Sequence, residues 1–397
     1  MKVVVGLSGG VDSSVAAYLL KKAGHEVTGL FMINWHETTG TLSGSCPWEE
    51  DLLIAQLVAH RLDIPVHSID LSEPYRERVV DYMFREYRQG RTPNPDVLCN
   101  REIKFDLFMK VAENLGGEMV ATGHYCRKEM FEKDGMPVYR LLAGVDPAKD
   151  QSYFLCQLSQ QQLGRSLFPL GNLFKSDVRR IAGEQRLPTA QKKDSQGICF
   201  VGKVNLPLFL QQKLEPKQGS IIEIPADSDL YVRQTARDIR RIINNGTFEM
   251  LSTPYSYQPQ MGRAVGEHNG AHFFTIGQRK GLNVGGMKDP LFVIATDVKT
   301  NIVYVGQGQD HPGLYRRGLF IKKNDIHWLR PDLAVADPRP LSCCVRIRYR
   351  QPLQQANIFF VPEGAHCIFE RKQRGITSGQ YAAWYTGDEL VGSGVID

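Results

Sequence analysis

The hydrophobic pattern of the chain changes period partway along. Over residues 1–121, short apolar runs alternate with segments whose apolar positions recur at helical spacing. Lys2–Gly6, Glu26–Ile33, Val66–Asp70 and Glu118–Ala121 read as strands. Ser13–Lys22 (Val15, Ala16, Leu19, Leu20), Pro47–Leu62, Pro74–Tyr87 and Glu102–Leu115 read as helices. Strand and helix in alternation, joined by short links, predict a parallel sheet with helices on both faces. Tyr125–Leu142 reads as a hairpin turning at Asp134–Gly135, and Lys175–Arg186 and Val204–Lys213 read as helices.

After Gly219 a period of two dominates. Ile221–Ile224, Ala271–Ile276, Leu291–Asp297, Ile302–Gln307, Leu319–Lys322, Cys343–Tyr349, Asn357–Val361, His366–Phe369 and Gln380–Tyr385 all fit short strands. Such spacing predicts a small, mainly β central domain and then a β-barrel. A basic helical stretch, Asp229–Asn245 (Arg233, Arg237, Arg240, Arg241), interrupts it. The expected division is an α/β domain over 1–205, a central domain over 206–283 with an insertion at about 229–263, and a barrel over 284–397.

With 397 residues, 42% hydrophobic and 23% charged, each unit can bury its own core. No apolar run approaches the roughly 18 residues of a membrane helix, and the start lacks the layout of a secretory signal. A cytoplasmic protein is therefore expected. Gly 37 and Pro 21 are ordinary usage, which excludes collagen-like and low-complexity classes. The net charge of +5 matters through its distribution: residues 1–200 carry 24 basic and 25 acidic side chains, and residues 201–397 carry 24 and 18. His311–Arg350 alone has nine basic and three acidic positions, which allows a polyanionic partner or a merely solvated basic face.

Strand Lys2–Gly6 runs directly into Gly6-Leu7-Ser8-Gly9-Gly10-Val11-Asp12-Ser13-Ser14 at the start of a predicted helix. Glycines let backbone N–H groups close around a phosphate, serine hydroxyls add donors, and the helix N-terminus adds partial positive charge. A Walker loop would need a lysine here, and the Rossmann glycine spacing is absent. The plain alternative is a tight turn with Asp12 or Ser13 as helix cap. The eight cysteines contain no C-x-x-C pair, so zinc-ribbon or iron–sulfur spacing is missing. Cys99, just before the helix predicted from Glu102, has Arg101 and Lys104 beside it and Asp96 three residues earlier, a candidate for proton transfer. Cys199 follows Lys192-Lys193-Asp194-Ser195-Gln196-Gly197-Ile198, an electropositive loop. From the residues alone each of the two thiols is as readily structural as reactive; Cys126, Cys156 and Cys367 lie in apolar surroundings.

The S-G-G-x-D-S-S run after the first strand resembles the pyrophosphate loop of the PP-loop ATP-pyrophosphatase superfamily. T-P-N-P-D-x-x-C-N-x-x-I-K-F from Thr92, with D-S-Q-G-I-C-F from Asp194, is similar to the tRNA-specific 2-thiouridylase family. Ala121–Tyr125, Lys149–Leu155, Phe274–Leu282 and Arg348–Gln351 agree with it, so the resemblance spans nearly the whole chain.

The resemblance implies a fold with a PP-loop domain followed by a barrel, and an ATP-dependent sulfur transfer to the C2 position of the wobble uridine of tRNA. It implies that Gly6, Leu7, Ser8, Gly9, Gly10, Val11, Asp12 and Ser13, with Met32 and Gly123, hold ATP, which enters with Mg²⁺. It places Asn94, Pro95 and Asp96 at the target uridine, and His124, Lys149, Asp150, Gln151, Arg348, Tyr349 and Gln380 on tRNA. Cys199 would carry sulfur as a persulfide, Cys99 would be its partner thiol, ending in a disulfide, and Asp96 would handle the proton. Expected partners are glutamate, glutamine and lysine tRNAs and a sulfur donor such as a cysteine desulfurase or relay protein, with no membrane, no resident metal or iron–sulfur cluster, and a monomeric state.

Three features depart from the family pattern: the insertion at about 229–263, Thr377-Ser378-Gly379-Gln380 where the family has T-P-G-Q, and no desulfurase or rhodanese-like segment. A PP-loop ligase acting on a small molecule would explain the loop but neither cysteine nor the basic barrel. A tRNA-binding module with a vestigial nucleotide site would leave the intact loop and both thiols unexplained.

Overall fold

The structure, a computed structural model, describes residues 1–36, 47–193, 206–231, 235–334 and 339–397. The Cys199 segment lies outside the described residues.

Five strands, β1 (Lys2–Gly6), β2 (Glu26–Ile33), β3 (Val66–Asp70), β4 (Met119–Ala121) and β7 (Ser166–Leu167), form a parallel sheet in the order β3-β2-β1-β4-β7. Successive β1 side chains point to opposite faces. Val3 and Val5 bury against Val15 and Ala16 of α1 (Val11–Lys22), Val58 of α2 (Pro47–Leu62) and Val178 of α5 (Lys175–Glu184). Val4 buries on the other face against Val79 and Val80 of α3 (residues 72–88) and Phe108 of α4 (residues 95–114). Both long helices widen into π-helical turns, at Arg76–Val80 and at Cys99–Leu107. The two-sided α/β layer expected from the sequence is present.

The hairpin β5 (Cys126–Lys133) and β6 (Met136–Ala143) turns at Asp134–Gly135, both with positive φ (52° and 75°), as a tight primed turn demands. Four strands, β8 (Gly219–Glu223), β9 (Arg263–His268), β10 (Leu291–Asp297) and β11 (Ile302–Gln307), make the central sheet in the order β10-β11-β8-β9. Ala271–Ile276, expected as a strand, is not one: Gly270 at φ 140° starts a 3-10 turn, Ala271–Phe273, and the chain then runs as a loop.

The barrel has six strands: β12 (Tyr315–Trp328), β13 (Leu341–Arg346), β14 (Gln354–Val361), β15 (Gly364–Arg374), β16 (Tyr381–Thr386) and β17 (Glu389–Ile396). The β12–β17 pairing closes it. Strand β17 also pairs with β6, Glu389 opposite Leu142 and Leu390 opposite Leu141, so the hairpin extends the barrel sheet. The insertion folds as α6 (Ala236–Asn244) and α7 (Glu249–Ser252). Thr235 caps α6 by accepting from the Asp238 N–H at 3.2 Å. Ile242 and Leu251 bury against Ile368 on the barrel wall, and Phe248 stacks on Phe359 at 4.4 Å, while Arg237, Arg240 and Arg241 stay exposed.

Candidate active site

In the sheet order, β1 is the point from which the chain runs outward in both directions, to β2 and to β4. Ligands of parallel α/β sheets bind outside the carboxyl ends of the strands at such a point. The Gly6–Ser14 loop lies there. Gly9 takes φ 68°, and a Cβ on it would run into the carbonyl of Asp51, so only glycine fits. Inside the loop the Ser8 N–H donates to Ser13 Oγ at 3.2 Å, Ser13 Oγ donates to the Gly10 carbonyl at 3.1 Å, and Ser14 Oγ to the same carbonyl at 2.8 Å. The hydroxyls therefore brace a turn that aims the α1 N-terminus outward.

The segment after β4 closes on this loop. A Cβ on Gly123 would lie 2.9 Å from the Asp12 carbonyl carbon and 2.9 Å from the Ser13 nitrogen, so the glycine is required by close approach. Met32, at the carboxyl end of β2, is buried beside the loop strand. Tyr125 donates its hydroxyl to Asp12 Oδ1 at 2.7 Å, and Lys175, at the start of α5, places Nζ 2.7 and 2.8 Å from the two Asp12 oxygens. Sequence reasoning noted the missing loop lysine but not this one, which arrives from 163 residues away. Lys192 pairs with Asp51 of α2.

Helix α4 connects the phosphate loop to the barrel. Its Phe108 ring would be 3.5 Å from a Cβ on Gly6. Its other end begins at Asn94, whose side chain accepts from the Val97 N–H at 3.2 Å, followed by Pro95. Cys99 is thus inside the helix rather than before it, as the sequence suggested. Pro95 sits at the first helical position, where a missing N–H costs nothing. Cys99 is fully buried, among Val97, Leu98 and Ile103. Arg101 donates to Glu102 Oε1 at 2.8 Å and Gln157 Oε1 at 3.1 Å. Burial pushes the thiols of Cys126 and Cys367 well up and those of Cys156 and Cys343 up to about 12, which keeps all four protonated and inert.

The barrel holds the start of α4 in place. Gln380 donates its amide to the carbonyls of Thr92 (2.9 Å) and Pro93 (3.1 Å) and accepts from Asn94 at 3.5 Å. Arg348 donates to the Gly375 carbonyl at 2.8 Å, the Ile276 carbonyl at 3.3 Å and Thr377 Oγ1 at 3.2 Å. Tyr349 lies against Phe154 at 4.3 Å with Arg350 over its ring. Lys149 is half-buried, and Gln151 accepts the Tyr125 N–H at 3.0 Å. Asp150 is 4% exposed and paired with Arg346 at 2.9 Å. His124 is buried against Phe105 and Phe168, with Nδ1 2.8 Å from Thr122 Oγ1; burial, with Lys104 nearby, holds its imidazole neutral. Asn34, the Trp35 indole nitrogen and Asn100 Oδ1 are buried polar groups with no hydrogen-bond partner among the described residues. A polar ligand at this edge of the sheet would satisfy such groups.

A braced phosphate loop at the sheet's carboxyl edge, joined by one helix to a closed β-barrel, defines a nucleotide-dependent enzyme of the PP-loop class with a barrel appended. Family models match in the same order: a tRNA methyl transferase HUP domain over residues 1–203, a tRNA methyl transferase PRC-barrel domain over 255–307 and an aminomethyltransferase β-barrel domain over 319–396. The chain is 60% identical over 395 residues to the tRNA-specific 2-thiouridylase MnmA of Christiangramia forsetii, covering 100% of this chain and 99% of that protein. It is 56% identical over 397 residues to that of Flavobacterium johnsoniae (100% and 99%) and 42% identical to that of Chlamydia trachomatis serovar D (100% and 97%). The chain belongs to the tRNA-specific 2-thiouridylase (MnmA) family.

Proposed function

We infer that this chain replaces the C2 oxygen of the wobble uridine in tRNA by sulfur, using ATP. The observation that carries the reading is helix α4: Phe108 packs at the phosphate loop, while Asn94, Pro95 and Asp96 at its start are held by the barrel through Gln380. A nucleotide and a tRNA base gripped at the two ends of one rigid element meet in fixed geometry, which supplies much of the rate advantage of a bound reaction.

In this reading the loop N–H groups, Ser8, Ser13 and the α1 N-terminus hold the phosphates of ATP, which arrives with Mg²⁺, while Met32 and Gly123 border the nucleoside. The uridine C2 oxygen attacks the α-phosphorus, the α–β phosphate bond breaks and pyrophosphate leaves. Lys175 and the loop donors stabilise the charge on the departing group. Cys199, loaded as a persulfide, delivers its outer sulfur to C2 and AMP departs with the former uridine oxygen. Asp96 takes the proton, and Cys99 attacks Cys199 Sγ, so the persulfide S–S bond breaks, the outer sulfur stays on C2 and Cys99 ends in a disulfide with Cys199. Lys149, Gln151, Arg348, Tyr349 and Gln380 serve the tRNA. His124 and Asp150, expected on tRNA, have buried side chains here, and we assign them to holding the segments that present Gly123 and Gln151.

No helix among the described residues is long and apolar enough to cross a membrane. The reading includes a monomer in the cytoplasm that receives sulfur from a cysteine desulfurase or relay protein. It is tested by AMP formation with unmodified glutamate tRNA and with the same tRNA carrying cytidine at the wobble position. AMP with the first alone is expected; AMP formed equally well without tRNA, on a small acceptor, would favour a small-molecule ligase.

A further inference from the structure

Away from the phosphate loop, a cleft of about 200 Å³ opens where five parts of the chain meet. Its walls include Thr92 of the loop leading to α4, Tyr255 and Tyr257 of the insertion, Thr296 of β10, Arg316 of β12 and Thr377 of the loop after β15. Arg316 is 9% exposed. Its Nη1 donates to the Ser252 carbonyl at 2.8 Å and its Nη2 to the Ile376 carbonyl at 3.2 Å, and no carboxylate among the described residues lies within 4.0 Å of it. A guanidinium carries five N–H donors, so the fork is only partly used. Burial pulls the group from 12.5 down to about 10, and the nearest titratable neighbours, Tyr255 and Tyr257, are phenols that burial keeps neutral.

The charge is not isolated. Arg348 donates to Gly375 and Thr377 on the same loop, and Arg374, at its start, lies over the Phe292 ring at 5.0 Å with its buried Nε making no hydrogen bond among the described residues; neither has a carboxylate within 4.0 Å among the described residues. Of these guanidinium groups Arg316 is the one buried at the cleft, with no carboxylate among the described residues to meet it. A buried cation left so is costly, and an anion entering the cleft relieves it. The Tyr255 hydroxyl, half-buried on the cleft wall, makes no hydrogen bond among the described residues. Thr92 is four residues from Asp96, a span of at most about 14 Å, so the cleft lies within a few nucleotides of a base held at Asp96.

We propose that this cleft seats a backbone phosphate of the bound tRNA, with Arg316 as a two-pronged donor and Tyr255 as a further hydroxyl donor, which makes the insertion part of the RNA interface. This rests on the reading that the chain acts on tRNA. A planar guanidinium fork matches a phosphate bidentately. The cleft's position between the α4 loop and Arg348 favours a phosphate on the RNA strand over a free one.

The test is the affinity of labelled, unmodified glutamate tRNA across a salt series, for the full chain and for Arg316→Gln, with melting followed alongside. The variant is expected to bind about tenfold more weakly, with the slope of log Kd against log salt reduced by about 0.7–0.9, one phosphate contact. A folded Arg316→Gln protein with wild-type affinity and slope overturns the proposal. Should that variant not fold, Tyr255→Phe decides: binding about threefold weaker supports the seat, and unchanged binding overturns it. Inorganic phosphate is titrated in parallel. Competition with tRNA only at far higher concentration is expected, and tight phosphate binding that leaves tRNA affinity untouched assigns the cleft to a small anion. Wild-type protein that binds no tRNA fails the broader reading instead.

Discussion

Lys175 reaches across 163 residues to place its ammonium 2.7 and 2.8 Å from the two carboxylate oxygens of Asp12, inside the phosphate loop. The loop lacks a lysine of its own, and α5 brings one to it. Lys175→Met should lower tRNA-dependent AMP formation about 100-fold, the usual cost of one lost transition-state donor. Lys175→Arg should recover part of it. The melting temperature of both variants, read beside the rate, separates lost chemistry from lost fold.

Gly123→Ala should weaken ATP binding at least tenfold, because the new Cβ meets backbone atoms of Asp12 and Ser13 at 2.9 Å and the loop must shift to accept it. Binding of a fluorescent ATP analogue measures this directly. Unchanged affinity would mean that the 122–125 segment moves independently of the loop.

Gln380 makes two hydrogen bonds to the backbone before Asn94. Removing them in Gln380→Ala costs about 1–3 kcal/mol of local fixation. The outcome expected is a KM for tRNA raised about tenfold with the KM for ATP unchanged. A rise in both would place Gln380 in the fold's general stability rather than at the tRNA end of α4.

Burial lowers the pKa of His124, His268, His272, His311, His327 and His366 below 6.5. In the unfolded chain these rings take a proton near pH 6.5, while in the folded chain they resist it. Their contribution is complete above that pH and is lost as pH falls from about 6.5 through the lowered folded values. The melting temperature should therefore drop between about pH 7.5 and about pH 5.5. A flat profile over that interval would show these histidines to be solvated.

Much of this was legible in the sequence because it is local. The β1–loop–α1 unit shows as an apolar run, two glycines and three serines, and the hairpin shows through Asp134–Gly135. What was not legible depends on contacts between distant residues. Strand β17 was not anticipated because Gly392 and Gly394 look like loop residues; in the barrel, a Cβ on Gly392 would meet the Trp384 ring at 2.7 Å. Prolines usually break helices, yet Pro95 opens one, which puts Cys99 inside the helix rather than just before it. Lys175 gave no local signal of its role, and neither did the pairing of β6 with β17 that ties the hairpin to the barrel. The helical periodicity of the insertion was visible, but its seat on Phe359 and Ile368 was not.

The most direct measurement is the nucleoside content of unmodified glutamate tRNA after incubation with the protein, Mg-ATP, cysteine and a cysteine desulfurase, read by mass spectrometry. The account predicts a uridine in which one oxygen is replaced by sulfur, at C2, and its loss in Cys199→Ser and Cys99→Ser, both of which still bind tRNA. Full thiolation by either serine variant, or none by the wild-type protein while ATP is still split to AMP and pyrophosphate, would contradict it.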